Sequence, residues 1–136
     1  MSAKRIAAAN TLSTGLGHRR PRTQSPKHLA FIRTLPCLIS GRTDGVEAAH
    51  IRYGNPCCGK RATGMGEKPS DMFVVPLHHD LHRTGPDAQH QGNERKFWEK
   101  HNIDPCFVAL ALWAFSGDSE TAEIIIRETR RRAVRV

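Results

Sequence analysis

Two short apolar segments separated by a long polar loop organise the first half of the chain. Residues 46–52 (VEAAHIR) mix apolar and polar positions over a length typical of a strand, and residues 72–78 (MFVVPLH) are apolar and β-branched. Pro76 has no N–H to donate to a sheet, so we predict that the second strand ends there or lies at an edge. Between them, residues 53–71 are dense in Gly and Pro. Loops of this length in compact domains are usually functional or disordered.

The flanking segments carry their own signals. Residues 28–40 (HLAFIRTLPCLIS) are apolar and interrupted by Pro36, which we interpret as an extended stretch entering a tight turn. After the second strand, a short helix is predicted before Gly85, then a helix over residues 93–102. Asp104 followed by a proline marks the start of a third helix, and residues 118–136 form a fourth with early acids and late arginines. The predicted fold class is α+β.

The composition predicts the cellular compartment of the protein and the class of partner that it binds. The 136 residues suit a single domain, and 21 Lys and Arg against 13 Asp and Glu give a net charge of +8. Such a charge favours an anionic partner, most commonly nucleic acid, over the alternative of a merely solubilising surface. Residues 1–27 are basic and lack acids, which predicts a mobile arm. Four cysteines, no signal peptide and no run long enough for a membrane span predict an intracellular protein.

Histidines concentrate around the two predicted strands. His50 closes the first strand, Asp71 precedes the second, and His78, His82 and His90 follow it. Histidine both binds metals and titrates near neutral pH, so the set suits either coordination or general-base chemistry. His78 and His82, four residues apart, share a face if that segment is helical.

A family resemblance emerges from these segments taken together. The stretches PCLISGR, VEAAHIR, GMGEKPSDMFVVPLHHDLH, GPDAQH and FWEKHNIDP, within residues 35–117, resemble the HNH (ββα-metal) endonuclease superfamily. They are most similar to the phage-associated HNH-like family that includes the RecA-dependent nuclease Ref. The resemblance implies a small treble-clef-like ββα-metal core with a two-stranded hairpin and a long loop in residues 28–118. A basic amphipathic helix would follow in residues 119–136.

The resemblance also implies roles for individual residues. His50 matches the general base, and Asp71 matches the residue that orients the base or helps to hold the metal. His82 matches the metal-binding histidine at the start of the helix. Many relatives carry a metal ligand just before the base, where this chain has Ala49, and we expect His90 to replace it. One catalytic divalent ion is implied, either Mg²⁺ or Zn²⁺/Mn²⁺.

Two arginines are predicted to bind phosphates, and a second metal position is expected to be lost. Arg52 and Arg83 flank the matched residues and are predicted to position phosphates, with a solvated surface as the alternative. Relatives often hold a structural zinc at positions matched here by Cys37, Ser40, His78 and Leu81. Serine is a poor zinc ligand and leucine is none, so we expect this zinc to be lost, leaving Cys37 and His78 as residual ligands. Rescue by Cys57 and Cys58 is the alternative.

The predicted function is a metal-dependent HNH-type endonuclease that hydrolyses phosphodiester bonds in DNA in the cytoplasm of a bacterial or phage-infected cell. Its partners would be DNA and a RecA-type recombinase or another phage or host DNA-processing protein, with no membrane. The alternative is a catalytically degenerate HNH-fold module for DNA binding or recombination, which Ala49 favours. A small zinc-ribbon regulator fits less well, because the four-cysteine spacing it needs is absent from the sequence.

Overall fold

A computed structural model describes residues 22–85 and 87–134 of the chain. Most of the predicted basic arm, residues 1–21, lies outside the described residues. The end of that arm contacts the rest of the protein. The Arg22 guanidinium donates to the Pro69 carbonyl oxygen at 3.1 Å, and the Ser25 hydroxyl accepts from the His28 amide. Arg22 and Ser25 therefore belong to the packed part of the chain.

The first element is a helix, α1 (Pro26–Arg33). Ser25 caps its amino end and Pro26 occupies the first helical position, which is a strong start signal. His28 and Ile32 are four residues apart and both are buried, as expected for one helical face. The prediction of an extended stretch from residue 28 was wrong over this part, because the start signal lies just before that stretch.

Two antiparallel strands form the sheet, β1 (Val46–His50) and β2 (Val74–His78). Their register pairs Val46 with His78 and His50 with Val74. All five residues of β2 are buried. Pro76 lies inside β2 rather than at its end, and its carbonyl oxygen accepts the Leu38 amide at 2.8 Å on the outer edge. The missing N–H is tolerated because a two-stranded sheet consists of edge strands.

Helices cover the hairpin and follow it. After β2 comes one π-helical turn (Asp80–Thr84), then α2 (Glu94–Lys100), α3 (Pro105–Ala114) and α4 (Ser119–Val134). Helix α1 contacts both strands, α3 contacts β2, and α4 contacts α3. The largest fully buried apolar side chains come from all of these layers and include Trp98, Ile32, Leu35, Leu38, Ile51, Leu77, Leu112 and Ile126. The fold class is α+β, as predicted, with a two-stranded hairpin and C-terminal helices.

Helix α4 also holds the turn between α1 and β1. The Arg130 guanidinium donates to the carbonyl oxygens of Ile39 and Ser40, each at 3.3 Å. Gly41 adopts φ +77°, and a Cβ there would lie 2.7 Å from the Arg130 guanidinium carbon. The turn thus needs glycine both for its backbone conformation and for the approach of the arginine.

None of the helices among the described residues is both long enough and apolar enough to span a membrane.

The start of α3 provides a test of the local sequence signals. Asp104 Oδ1 accepts from the amides of Cys106 (3.0 Å) and Phe107 (3.4 Å), as predicted from the Asp-Pro pair. Replacing Asp104 by Ala should lower the free energy of unfolding by about 1 kcal/mol, because two amides lose their acceptor. Urea unfolding measures this change. Asp87→Ala is the control, since the exposed Asp87 has a 3.8 Å ion pair with Lys100 and should change little. Equal losses in both variants would contradict the capping role.

Candidate active site on the β-hairpin

The last residue of β1 forms a histidine–carboxylate pair. His50 Nε2 lies 2.8 Å from Asp71 Oδ1, and the other oxygen, Oδ2, accepts the Ser25 amide at 2.8 Å. Asp71 is only 4 % exposed, and the Arg22 guanidinium lies 3.7 Å from its Oδ1. Since a carboxylate oxygen accepts, the pair places the imidazole proton on Nε2. Nδ1 then carries the lone pair that a general base requires.

The Asp71 carboxyl stays ionised despite its burial. Burial acts to raise its pKa, but the hydrogen bonds from His50 and from the Ser25 amide, together with the charges of His50 and Arg22, bring the pKa below its ordinary value. An ionised Asp71 fixes the His50 tautomer and can stabilise the ring when it gains a proton.

A carboxylate of β1 orients His82. Glu47 Oε1 accepts from His82 Nδ1 at 2.8 Å, and the Arg83 guanidinium donates to both Glu47 oxygens at 3.0 and 2.7 Å. The Arg83 hydrogen bond is the largest cause that lowers the pKa of Glu47, to about 2, so Glu47 is anionic. With its Nδ1 proton held by Glu47, His82 presents Nε2 as an available ligand atom. Carboxylates commonly orient metal-binding histidines in this way.

His90 completes a pair of imidazoles. It lies on the short 3₁₀ turn Gln89–Gln91, and its ring centroid is 4.4 Å from that of His82, with the rings edge to face. Burial and the neighbouring His82 lower the pKa of His90, which favours the neutral ring. The turn is held by Glu94, which accepts from Gln89 Nε2 at 2.7 Å and from the Arg52 amide at 3.1 Å.

Residues of β1 contribute to the two pairs from opposite faces of the strand. Side chains alternate along a strand, so Glu47 and Ala49 share one face and His50 lies on the other. Ala49 is fully buried. Among the described residues, three side chains of the types that bind metals have ligand atoms that all lie within 4.8 Å of one another. They are His78, His79 and Asp80. The structure thus brings the predicted residues together as two pairs, His50 with Asp71 and His82 with His90, rather than as one cluster.

The predicted phosphate-binding arginines already have protein partners. The Arg52 guanidinium donates to the Glu67 carbonyl oxygen at 3.4 Å, and Arg83 is bound by Glu47. Both side chains remain exposed at the surface. The Arg52 contact is a single long hydrogen bond that a phosphate could replace, whereas Arg83 would have to leave the Glu47 carboxylate that it helps to keep anionic.

A basic cavity of about 510 Å³ adjoins Asp71 along the chain. Its walls include Arg22 from the segment before α1, and Arg61, Glu67 and Lys68 from the long loop. Lys60 also lines it, but this lysine is buried and its ammonium donates to the carbonyl oxygens of Tyr53 (2.8 Å) and Arg61 (3.3 Å). Lys60 therefore holds the loop in shape. Arg61 is bound by the Glu67 carboxylate at 2.7 Å and Arg22 by the Pro69 carbonyl oxygen at 3.1 Å, so an anion would have to compete with these contacts.

The predicted residual zinc ligands are both buried. Cys37 is fully buried, and its Sγ accepts the Ser40 amide at 3.4 Å. His78 is buried at the end of β2, in the group with His79 and Asp80.

Two residues of the site, Glu47 and Glu94, were not among the residues predicted from the sequence. Glu47 is two residues from Ala49, so strand periodicity alone places it on the face where relatives carry a metal ligand. That signal was present in the sequence. Glu94 gave no comparable signal, because its role depends on contacts with Arg52 and Gln89 that only the fold creates. Burial raises the pKa of Glu94, against the opposing effect of these hydrogen bonds.

A comparison with known protein families assigns the chain to one of them. A family model described as "Protein of unknown function (DUF968)" matches residues 17–113, well over half of the chain. The chain belongs to the DUF968 family. No curated protein and no solved structure matches it. The DUF968 match spans both strands and both histidine pairs and ends within α3, so α4 lies beyond it.

The Asp71 carboxylate predicts a pH dependence of stability. Its pKa is lowered by folding, so its contribution is present above the unfolded value, about 3.9, and is lost as the pH falls through the folded value. Asp71→Asn should therefore cost about 1–3 kcal/mol at pH 7 and progressively less towards pH 3. Urea unfolding from pH 7 to pH 3 measures the difference. A cost that stays constant over this range would contradict the ionised pair.

Proposed function

We propose that the protein is a metal-dependent HNH-type endonuclease that hydrolyses phosphodiester bonds in DNA. One observation carries the proposal: β1 offers both a histidine bonded to a buried carboxylate and, three residues earlier, a carboxylate bonded to one of two adjacent imidazoles. His50, Asp71 and His82 match the base, the orienting residue and the metal ligand of similar HNH enzymes, and His90 is the candidate second ligand. The hairpin and the π-helical turn after it would form the ββα-metal core.

His50 is the general base in this proposal. Its Nδ1 accepts a proton from the attacking water as the water oxygen bonds to phosphorus. Asp71 keeps the proton on Nε2 beforehand and stabilises the positive charge that the ring then acquires. The His50 side chain is 28 % exposed, so water and a substrate phosphate can approach the ring.

The proposed metal would be held by His82 and His90. The chemistry of the donors fits: two adjacent imidazoles, one of them oriented through Nδ1 by the Glu47 carboxylate, suit a divalent ion. When bound, such an ion supplies charge stabilisation to a phosphate oxygen and to the leaving 3′ oxygen. Mg²⁺, Mn²⁺ and Zn²⁺ are the candidates to be compared.

The placement of the two pairs on opposite strand faces is compatible with this assignment. Relatives carry the base and a metal ligand at consecutive strand positions, and consecutive residues also leave opposite faces. Glu47 shares the face of Ala49, the position that matches the relatives' ligand. The chain thus retains a carboxylate on that face, acting through His82.

Charge supports an anionic polymer as the substrate. The chain has a net charge of +8, and the cavity beside Asp71 is lined by Arg22, Arg61 and Lys68. These cations would contact the phosphate backbone without reading base sequence, so affinity should fall steeply as salt rises.

The second candidate is a catalytically degenerate HNH-fold module that binds DNA or a recombination partner such as a RecA-type recombinase. Ala49 favours it, because the buried methyl group stands where many relatives have a ligand. DNA binding without cleavage, together with no metal bound at His82 and His90, would support this candidate over the enzyme.

Cleavage assays test the base directly. Supercoiled plasmid and single-stranded DNA are incubated with Mg²⁺, Mn²⁺ or Zn²⁺, with and without chelator. His50→Ala should lower the cleavage rate about 10²–10⁴-fold, because the attacking water loses its proton acceptor. His101→Gln, a histidine outside both pairs, is the matched control and should cleave at the wild-type rate. Equal rates for His50→Ala and the wild type would overturn the assignment.

The role of Glu47 is tested separately. Glu47→Gln keeps the size of the side chain but removes the charge that orients His82. It should raise the Mn²⁺ concentration needed for half-maximal cleavage about 10–100-fold, with less effect on the rate at saturating ion. An unchanged metal dependence would show that Glu47 serves only to bind Arg83.

A further inference from the structure

The far end of the hairpin buries an imidazole with an unsatisfied nitrogen. His78, the last residue of β2, is only 2 % exposed, and its Nε2 has no hydrogen-bond partner among the described residues. Burying a polar atom without a partner is costly and uncommon in native proteins. This atom therefore calls for a ligand or another binding group.

A second imidazole converges on the same space. A Cβ added to Gly45 would lie 3.1 Å from His78 Nε2 and 3.2 Å from His79 Nε2. The two rings have centroids 4.1 Å apart. Gly45 has φ +61°, a conformation that favours glycine, and its missing side chain leaves room beside both nitrogens.

Carboxylates stand on both sides of these rings. Asp44 Oδ2 lies 3.9 Å from His78 Nε2. On the opposite side, Asp80 Oδ1 lies 3.0 Å from His79 Nδ1, and Asp80 Oδ2 lies 3.7 Å from His78 Nδ1. Asp44 is otherwise paired with Arg42 at 2.8 Å, an exposed contact that costs little to release.

We infer that His78, His79 and Asp44 bind a divalent metal ion of the zinc type at the gap beside Gly45. The two Nε2 atoms and the Asp44 carboxylate supply three ligands, and water completes a four-coordinate shell. The Asp80 carboxylate, 3.0 Å from His79 Nδ1, would orient the His79 ring, as carboxylates do behind metal-binding histidines. The ion ties the turn before β1 to the end of β2, so its role is structural.

The proton on His78 must move for this binding. In the structure His78 Nδ1 accepts the Asp80 amide at 3.1 Å, which leaves the ring proton on Nε2. The binding tautomer carries that proton on Nδ1, facing Asp80 Oδ2, and frees the Nε2 lone pair. The ring stays neutral in both forms, but the Asp80 amide, 3.1 Å from Nδ1, would then face a second donor and has to turn away when the ion binds. His79 already has the required tautomer if its Nδ1 proton is donated to Asp80.

This ligand set differs from the structural zinc of similar proteins. Of the four matched positions, Cys37, Ser40, His78 and Leu81, it shares only His78. Asp44 and His79 replace the missing ligands from neighbouring positions. The site is also separate from His82 and His90, and it does not depend on the proposed nuclease activity.

Zinc binding to the untagged full-length chain tests the inference. Stoichiometry is measured by elemental analysis after gel filtration, affinity by competition with a chromophoric chelator, and stability by the Zn²⁺-induced rise in Tm. His79→Ala should lose one equivalent of Zn²⁺ and the part of the rise in Tm that this equivalent produces, because an ion that binds only the folded chain stabilises it. His90→Ala is the matched control and should keep the ion at Gly45 and that part of the rise in Tm.

A second variant distinguishes loss of the ion from misfolding of the chain. Asp44→Asn alters one exposed side chain, so the circular dichroism spectrum should be unchanged while the affinity for this Zn²⁺ falls about 10-fold or more. Wild-type stoichiometry and affinity in both His79→Ala and Asp44→Asn would overturn the inference, as would a wild-type chain that binds no Zn²⁺. Loss of an equivalent in His79→Ala but not in His90→Ala would support this site while contradicting the proposed catalytic metal.

Discussion

The antiparallel register of β1 and β2 is the constraint on which the rest of the structure depends. It sets His50 opposite Val74 at one end and Val46 opposite His78 at the other. A slip of one residue would exchange the two faces of β1, so Ala49 would leave the core and Glu47 would turn away from His82. The burial of β2 opposes such a slip, because its apolar residues Val74, Val75 and Leu77 are fully buried in the core.

Carboxylates near the hairpin lie next to histidines, although the chain is strongly basic. Asp71 contacts His50, Glu47 contacts His82 and Asp80 contacts His79. The Asp71 and Glu47 carboxylates each fix a tautomer and leave the other ring nitrogen available. Two cations, Arg22 and Arg83, lie against two of these same carboxylates, Asp71 and Glu47. The net charge of +8 suits the anionic polymer that is proposed as the substrate.

Local signals predicted the elements whose causes are local. The two strands, the long loop and the Asp104-Pro105 helix start all follow from short patterns and appear in the structure. Helix α1 was missed because its start signal, Ser25-Pro26, lies just before an apolar stretch interrupted by proline. The Glu47–His82 contact joins residues 35 positions apart, so only the strand register could reveal it. The gap at Gly45 was likewise invisible, since it depends on where the turn meets the end of β2.

The central claim is that His50 accepts a proton from the attacking water while His82 and His90 serve the metal. Chemical rescue of DNA cleavage by added imidazole tests it most directly. The account predicts that imidazole restores part of the cleavage lost in His50→Ala, where the missing group is a proton acceptor, but none of that lost in His82→Ala. Equal responses of the two variants to imidazole would contradict the separation of base and metal roles on the hairpin.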